Sequence, residues 1–325
     1  MTYAIEAHDL VKTYPGDVKA LSGLSFHVQE GTVFGLLGPN GAGKSTTVKI
    51  LTTLSSADSG SATVAGFDVA SQAERVRQSI GVVQQGTTVD REATGRENIH
   101  LQGQVYGMRG RDLEARAEEL LERFGLADAA DRIARGYSGG MERRLHVAMA
   151  LIHQPSVLFL DEPTTGLDPE VRADMWSEIS RLANDQGLTI LLTTHYLEEA
   201  DNLASQLAIV DRGRVVAEGT PEGLKADLRG DALHVELAQA DSDGGVTGAL
   251  AELGGIREVS VDGRTLHARA DDGARAVPVV LQALESRGID VASVRVARPS
   301  LDDVYLRYTG RTFDKAEAEA EEKTR

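Results

Sequence analysis

Gly38–Thr46 reads GPNGAGKST, a match to the spacing G-x-x-x-x-G-K-[ST], and no other stretch restricts the fold so strongly. That spacing demands a tight glycine-rich loop between a strand and a helix, with amides turned inward and the positive end of the helix dipole behind them. Gly38, Pro39, Asn40, Gly41, Ala42, Gly43, Lys44, Ser45 and Thr46 are therefore the candidate cradle for a nucleoside triphosphate. Lys44 adds a point charge for the outer phosphates, and Ser45 offers a hydroxyl to Mg2+. The flanks agree: Thr32–Leu37 (TVFGLL) reads as a buried strand entering the loop, and Lys44–Leu54 as the helix leaving it.

The chain has 325 residues, a length for which two domains is the natural expectation. Its formal charge of −16 argues against a nucleic-acid partner, which would demand a basic face. Without cysteine, disulfides, thiolate metal sites and cysteine nucleophiles are excluded, and an intracellular location fits. The opening MTYAIEAHDLVK lacks the build of a secretory signal, and no apolar run approaches the roughly 20 residues that cross a bilayer. Work at a membrane would thus require another subunit to do the crossing.

Residues 1 to about 85 read as short strands, Ala4–Leu10, Leu21–Val28, Thr32–Leu37, Ser61–Val64 and Ile80–Val83, punctuated by Gly and Pro. From about 86 to 155 the pattern turns helical, with Leu113, Ala117, Leu120, Leu121 and Phe124 at three- and four-residue spacing before a stop at Gly125. Ser156–Asp161 and Leu188–Thr193 are continuous apolar strands around a helix from Pro169 to about Asn184, which implies a mainly parallel, doubly covered sheet. Leu207–Val210 and Arg214–Ala217 look like a closing hairpin, and this domain ends near residue 220. A linker over 221–230 leads to 231–310, where strand, helix, two strands, helix and strand follow in the order βαββαβ of a ferredoxin-like sandwich. The acidic tail 311–325 is Glu/Ala-rich without an apolar stripe and reads as disordered or as a frayed helix.

Three further segments carry chemistry. Val157–Glu162 (VLFLDE) ends an apolar strand in Asp161, placed for Mg2+, and in Glu162, placed to polarise an attacking water. Ser138, Gly139 and Gly140 of YSGGM stand at the start of a helical run, which makes a second anion site from exposed amides and a hydroxyl. Asp168 in TTGLDP suits a helix cap before Pro169, and His195 follows the apolar strand LTILLTT.

In order and spacing this set resembles the nucleotide-binding subunit of an ATP-binding-cassette transporter, over residues 4 to about 220. The resemblance implies an α/β fold: a phosphate-loop NTPase cassette of mainly parallel sheet with an antiparallel β subdomain and a helical insertion, followed by the small α+β ferredoxin-like domain. It also implies that Tyr14 stacks on adenine, Gln85 senses Mg2+ and contacts the membrane subunit, Asp168 signals across a dimer, and His195 contacts the γ-phosphate. Neighbouring Gln84 competes with Gln85 for that place. The signature departs from the common pattern, with Tyr137 and Met141 where leucine and glutamine are usual, and Thr165-Gly166 stands where Ser-Ala is common. With the ending PSLDDVYLRYTG, these departures look like the daunorubicin-resistance type of drug-export ATPase from actinobacteria, in which the extension is a regulatory or dimer-supporting domain.

The expected activity is ATP hydrolysis with Mg2+. Lys44 and Ser45 of one copy and Ser138–Gly140 of another would enclose each ATP, and Glu162, His195 and Lys44 would serve catalysis. The expected partners are a second copy of the chain and an integral-membrane permease, which would hold the protein at the cytoplasmic face of the cell membrane and export a small hydrophobic compound. Two rival readings are a soluble cassette ATPase of translation or repair and a nucleotide-dependent regulator. A single cassette without a basic extension or coiled-coil insertion opposes the first, and the complete catalytic set opposes the second.

Overall fold

The computed structural model describes residues 2–86, 88–240, 245–250 and 253–324. They form two compact units, Met1–Pro221 with Ala316–Arg325, and Glu222–Lys315.

The first unit opens with long antiparallel strands β1 (Tyr3–Tyr14) and β2 (Val18–Gln29), which run several residues beyond the apolar segments that announce them. Strand β3 (Val33–Leu37) leads into helix α1 (Lys44–Leu51), and β4 (Ser59–Val64) and β5 (Phe67–Asp68) complete an antiparallel sheet ordered β2-β1-β4-β5. Helix α2 (Ala73–Ser79) and strand β6 (Ile80–Val83) come next, followed by the helical block α3 (Gly95–Val105), α4 (Gly110–Arg123) and α5 (Gly139–Ala150). Thr94 and Glu97 begin α3 with a capping box, and α4 buries Leu113, Ala117, Leu120 and Leu121, one helical stripe.

Strand β7 (Val157–Asp161), helix α6 (Pro169–Gln186), strand β8 (Thr189–Thr194), helix α7 (Leu197–Leu203) and the hairpin β9 (Gln206–Asp211) and β10 (Arg214–Gly219) close the unit. The second sheet runs β10-β9-β3-β8-β7-β6, parallel except at the β10–β9 hairpin. Every residue of β3, β7 and β8 is buried, as continuous apolar runs covered on both faces require. Their carboxyl ends place Leu37, Asp161 and Thr194 along one edge of the sheet, where ligands of open α/β sheets bind.

The stretch expected as a linker begins with helix α8 (Pro221–Ala226). In the second unit, β11 (Asp231–Leu237), α9 (Gly245–Leu250), β12 (Ile256–Asp262), β13 (Thr265–Ala270), α10 (Gly273–Glu285) and β14 (Val291–Ala297) follow in the βαββαβ order. The expected helix Val246–Leu253 extends into residues 251 and 252, which lie outside the described residues. The antiparallel sheet is ordered β12-β13-β11-β14, so the two halves of the repeat interleave, and Leu233, Val235, Leu266, Val280 and Leu284 fill the space between sheet and helices.

Two helices follow the sandwich: α11 (Leu301–Thr309), begun by a Ser300–Asp303 capping box, and α12 (Phe313–Thr324). The acidic tail is thus helical over Phe313–Thr324, the second of the two alternatives left open by its sequence. Its anchors are Phe313, fully buried edge-on against Tyr305, and buried Ala316. Two apolar side chains hold the start of a helix that lacks an apolar stripe, and Ala and Glu are strong helix formers.

Candidate functional site

The loop Gly38–Thr46 folds back at the carboxyl end of β3. Gly43, at φ 111°, occupies the N-cap of α1, where no side chain caps the first turn. A glycine is required there, because a Cβ would stand 2.7 Å from the carbonyl of Ala20. At Gly38 a Cβ would collide with the carbonyl of Val210. The helix entrance is thus stripped of side chains and presents its amides, which fits phosphate oxygens. Lys44 is 4 % exposed, and its ammonium donates to the carbonyls of Gly38 (2.6 Å) and Pro39 (3.2 Å), bracing the loop. Burial pushes its pKa down, and Glu162 and Asp161 oppose that shift.

Asp161 and Glu162 lie where β7 ends. Asp161 Oδ1 accepts from Thr193 Oγ1 at 2.5 Å and from Ser45 Oγ at 3.4 Å. Glu162 is the focus of the cluster. Its Oε2 accepts from Gln85 Nε2 (2.9 Å) and Thr165 Oγ1 (3.2 Å), and its Oε1 stands 3.3 Å from His195 Nδ1 and 3.9 Å from Lys44 Nζ. The histidine contact is an ion-pair approach without hydrogen-bond alignment. The His195 imidazole, then the Lys44 charge, hold the Glu162 carboxyl below the usual glutamate range, against the opposing effect of burial. Its backbone sits at φ 49°, a left-handed conformation that a non-glycine residue adopts at a cost, and such residues collect at working sites. Of the two competing glutamines, Gln85 is the one bonded to Glu162.

Lys44, Ser45, Gln85, Asp161, Glu162 and His195 thus converge, whereas three other expected positions have separate surroundings. Tyr14 ends β1, half-buried, with the Lys12 ammonium 5.8 Å from its ring centre. Asp168 caps α6 by accepting from the Val171 amide (3.0 Å), with Pro169 at the first helical position. Ser138 caps α5 through the Met141 amide (3.3 Å), and Gly140 packs so closely on α6 that a Cβ would lie 2.6 Å from Val171 Cγ1. Gly139, Gln85, Glu162 and Gly166 border one cavity of about 250 Å3.

Two residues escaped the sequence reading, and a third, Tyr137, was legible only as a departure from the common signature. Arg143, in α5, donates to the carbonyls of Gln84 (2.8 Å), Pro163 (2.8 Å), Glu162 (3.2 Å) and Asp161 (3.3 Å), tying the helix after Ser138 to the carboxyl end of β7. Burial lowers its pKa to about 10, so it stays charged at neutral pH. His146, 3 % exposed on the same helix, meets Thr88 Oγ1 at 2.9 Å, and burial, then the Arg143 charge, push its pKa down to about 4. Tyr137, the unusual signature residue, is buried and donates to the Ala129 carbonyl at 2.7 Å, which anchors the loop before Ser138.

A cradle for triphosphate, a carboxylate pair and a capped SGG helix define an ABC ATPase, and a family model described as "ABC transporter" matches residues 21–165. A second, described as "ATP-binding protein DrrA1-3-like, C-terminal domain", matches 219–309. The chain is 46 % identical over 317 residues to the daunorubicin resistance ATP-binding protein DrrA2 of Streptomyces coeruleorubidus, covering 97 % of this chain and 98 % of that one. It is 45 % identical over 314 residues to the daunorubicin/doxorubicin resistance ATP-binding protein DrrA of Streptomyces peucetius, covering 96 % and 94 %. Among solved structures, cbiO1 of Clostridium perfringens, part of the ABC transporter complex cbiONQ, superposes with a TM-score of 0.65 at 26 % identity, over 70 % of this chain and 92 % of that one.

The chain belongs to the ATP-binding subunits of ABC transporters, in the branch that carries the DrrA1-3-like C-terminal domain. It is the ATP-hydrolysing subunit of an exporter of that class. Among the described residues, no helix is long and apolar enough to cross a membrane.

Proposed function

We propose that two copies of the chain close head to tail over two ATP molecules, each held by Lys44 and Ser45 of one copy and Ser138, Gly139 and Gly140 of the other. The observation that carries this reading is the convergence of Gln85, Lys44 and His195 on Glu162, beside the Ser45–Asp161 pair. Glu162, held ionised and aimed by Gln85 and Thr165, takes the role of general base toward the attacking water. His195, on the same carboxylate, orients that base and reads the outer phosphate. Tyr14 offers a flat ring to adenine. Asp168, at the turn before α6, answers the partner copy.

The oxygens of Ser45 and Asp161 and the amide of Gln85 suit a hard divalent cation. Mg2+ bound there would neutralise charge developing between the outer phosphates.

The permease is proposed to dock beside Gln85 and the helical block, where Leu101 and Val105 of α3 are 57 % and 73 % exposed. That would hold the protein at the cytoplasmic face of the membrane. Dimer closing and opening would then drive export of a small hydrophobic compound, a cargo class suggested by the drug-resistance relatives.

Glu162→Gln tests the reading. With ATP and Mg2+, light scattering should show a stable dimer, with turnover at least roughly 100-fold lower. A monomer with undiminished turnover would remove Glu162 from the role and the two-copy site with it.

A further inference from the structure

Strands β11 and β13 pair in a register that sets His234 directly opposite His267. Their rings meet edge to face, with the two Nδ1 atoms 3.1 Å apart. At that distance the two Nδ1 atoms are close enough to face one common ligand. Asp303 of α11 completes the group: its Oδ1 lies 3.9 Å from His234 Nε2, and one ligating atom from each of the three residues falls within 4.8 Å of the others.

The carboxylate of Asp303 is held in place from behind. It is 9 % exposed, and its Oδ2 accepts from the Ser300 amide (2.8 Å) and hydroxyl (2.7 Å) in the capping box, which leaves Oδ1 for the histidines. Of the nearby arginines, Arg269 donates to the carbonyls of Arg229 and Gly230 and Arg307 pairs with Glu258, while Arg295 stands across the β11–β14 pair from His234 and is a positive charge that opposes a cation there. A cavity of about 440 Å3, bordered by His267, Asp303 and Ser260, gives access from solvent and room for water.

We infer that His234, His267 and Asp303 form a binding site for a divalent transition cation of the Zn2+ class. Two nitrogens and one carboxylate oxygen, with a position left for water, form a donor set that such borderline cations prefer. At metal–ligand distances of about 2.0–2.1 Å, two ligands of one tetrahedral ion stand roughly 3.4 Å apart, so the histidine pair already has nearly the required separation. Bound there, the cation fastens the two middle strands of the second unit to α11.

The test uses the full chain and Zn2+ alone, by titration calorimetry, with Co2+ absorption as an independent reading of the ligand field. The wild type should take up one ion tightly and raise its thermal midpoint. His234→Gln and His267→Gln should each weaken uptake at least tenfold, and the double variant should abolish both the uptake and the Co2+ bands. Asp303→Asn keeps an oxygen for the capping box and should weaken uptake while the circular dichroism stays unchanged. Absence of one-to-one uptake by the wild type would overturn the site. Equal uptake and equal Co2+ spectra in wild type and double variant would also overturn it, by locating the ion on other residues.

Discussion

Arg143 Nη2 donates to the main-chain oxygen of Glu162 at 3.2 Å, so the helix that begins at Ser138 is bolted to the backbone of the carboxylate at the centre of the site. Four carbonyls from two loops share that one guanidinium. Arg143→Ala leaves buried carbonyls without a charged donor and should cost about 3 kcal/mol in urea unfolding. Arg143→Lys keeps the charge but loses the planar fork, so it should recover stability better than ATP turnover. Equal turnover in wild type and Arg143→Lys would show that the fork does not position the site.

His146 makes stability depend on pH in a stated direction. Its folded pKa, about 4, lies below the 6.5 of an ordinary imidazole, so the unfolded chain binds the extra proton first as pH falls. The stabilising contribution is complete above about pH 6.5 and drains away toward pH 4, by roughly 3 kcal/mol in all. Denaturation midpoints measured across that interval should fall steeply for the wild type. They should flatten in His146→Gln, whose amide can still meet Thr88.

Gly140 and Val171 join the signature helix to the helix after Asp168. An added methyl in Gly140→Ala overlaps Val171, and overpacking of this kind costs roughly 1–3 kcal/mol. The double variant Gly140→Ala, Val171→Ala removes the overlap and should regain most of the lost stability. A thermodynamic cycle with no coupling would contradict the packing.

Ser45→Ala should raise the Mg2+ concentration for half-maximal turnover by about tenfold. Metal-free ATP binding, read with a fluorescent analogue, should be nearly unaffected, because Lys44 and the loop amides remain. A matched loss of both would assign Ser45 to loop architecture instead of the metal.

What could be read from sequence was what is local. The loop spacing, the strand ending in Asp161-Glu162 and the alternation of β11 through β14 each lie within a few residues, and most of the expected strands and helices agree with the observed ones to within two or three residues. Arg143 was invisible for the opposite reason: its partners are 18 to 59 residues away, and an arginine early in a helix reads as solvated. His146 looks ordinary until the fold buries it, and Tyr137, visible in the sequence only as a departure from the signature, shows its anchoring role once its hydroxyl meets a carbonyl eight residues back. The tail left disorder and a helix both open because it carries no periodic stripe, and two buried side chains, Phe313 and Ala316, suffice to anchor the helix.

The left-handed backbone at Glu162 makes this position a conflict between endurance and work. A glycine there would relax about 1–2 kcal/mol of conformational strain while removing the carboxylate proposed as general base, so Glu162→Gly should gain heat resistance as it loses turnover, the two properties opposed at a single main-chain torsion.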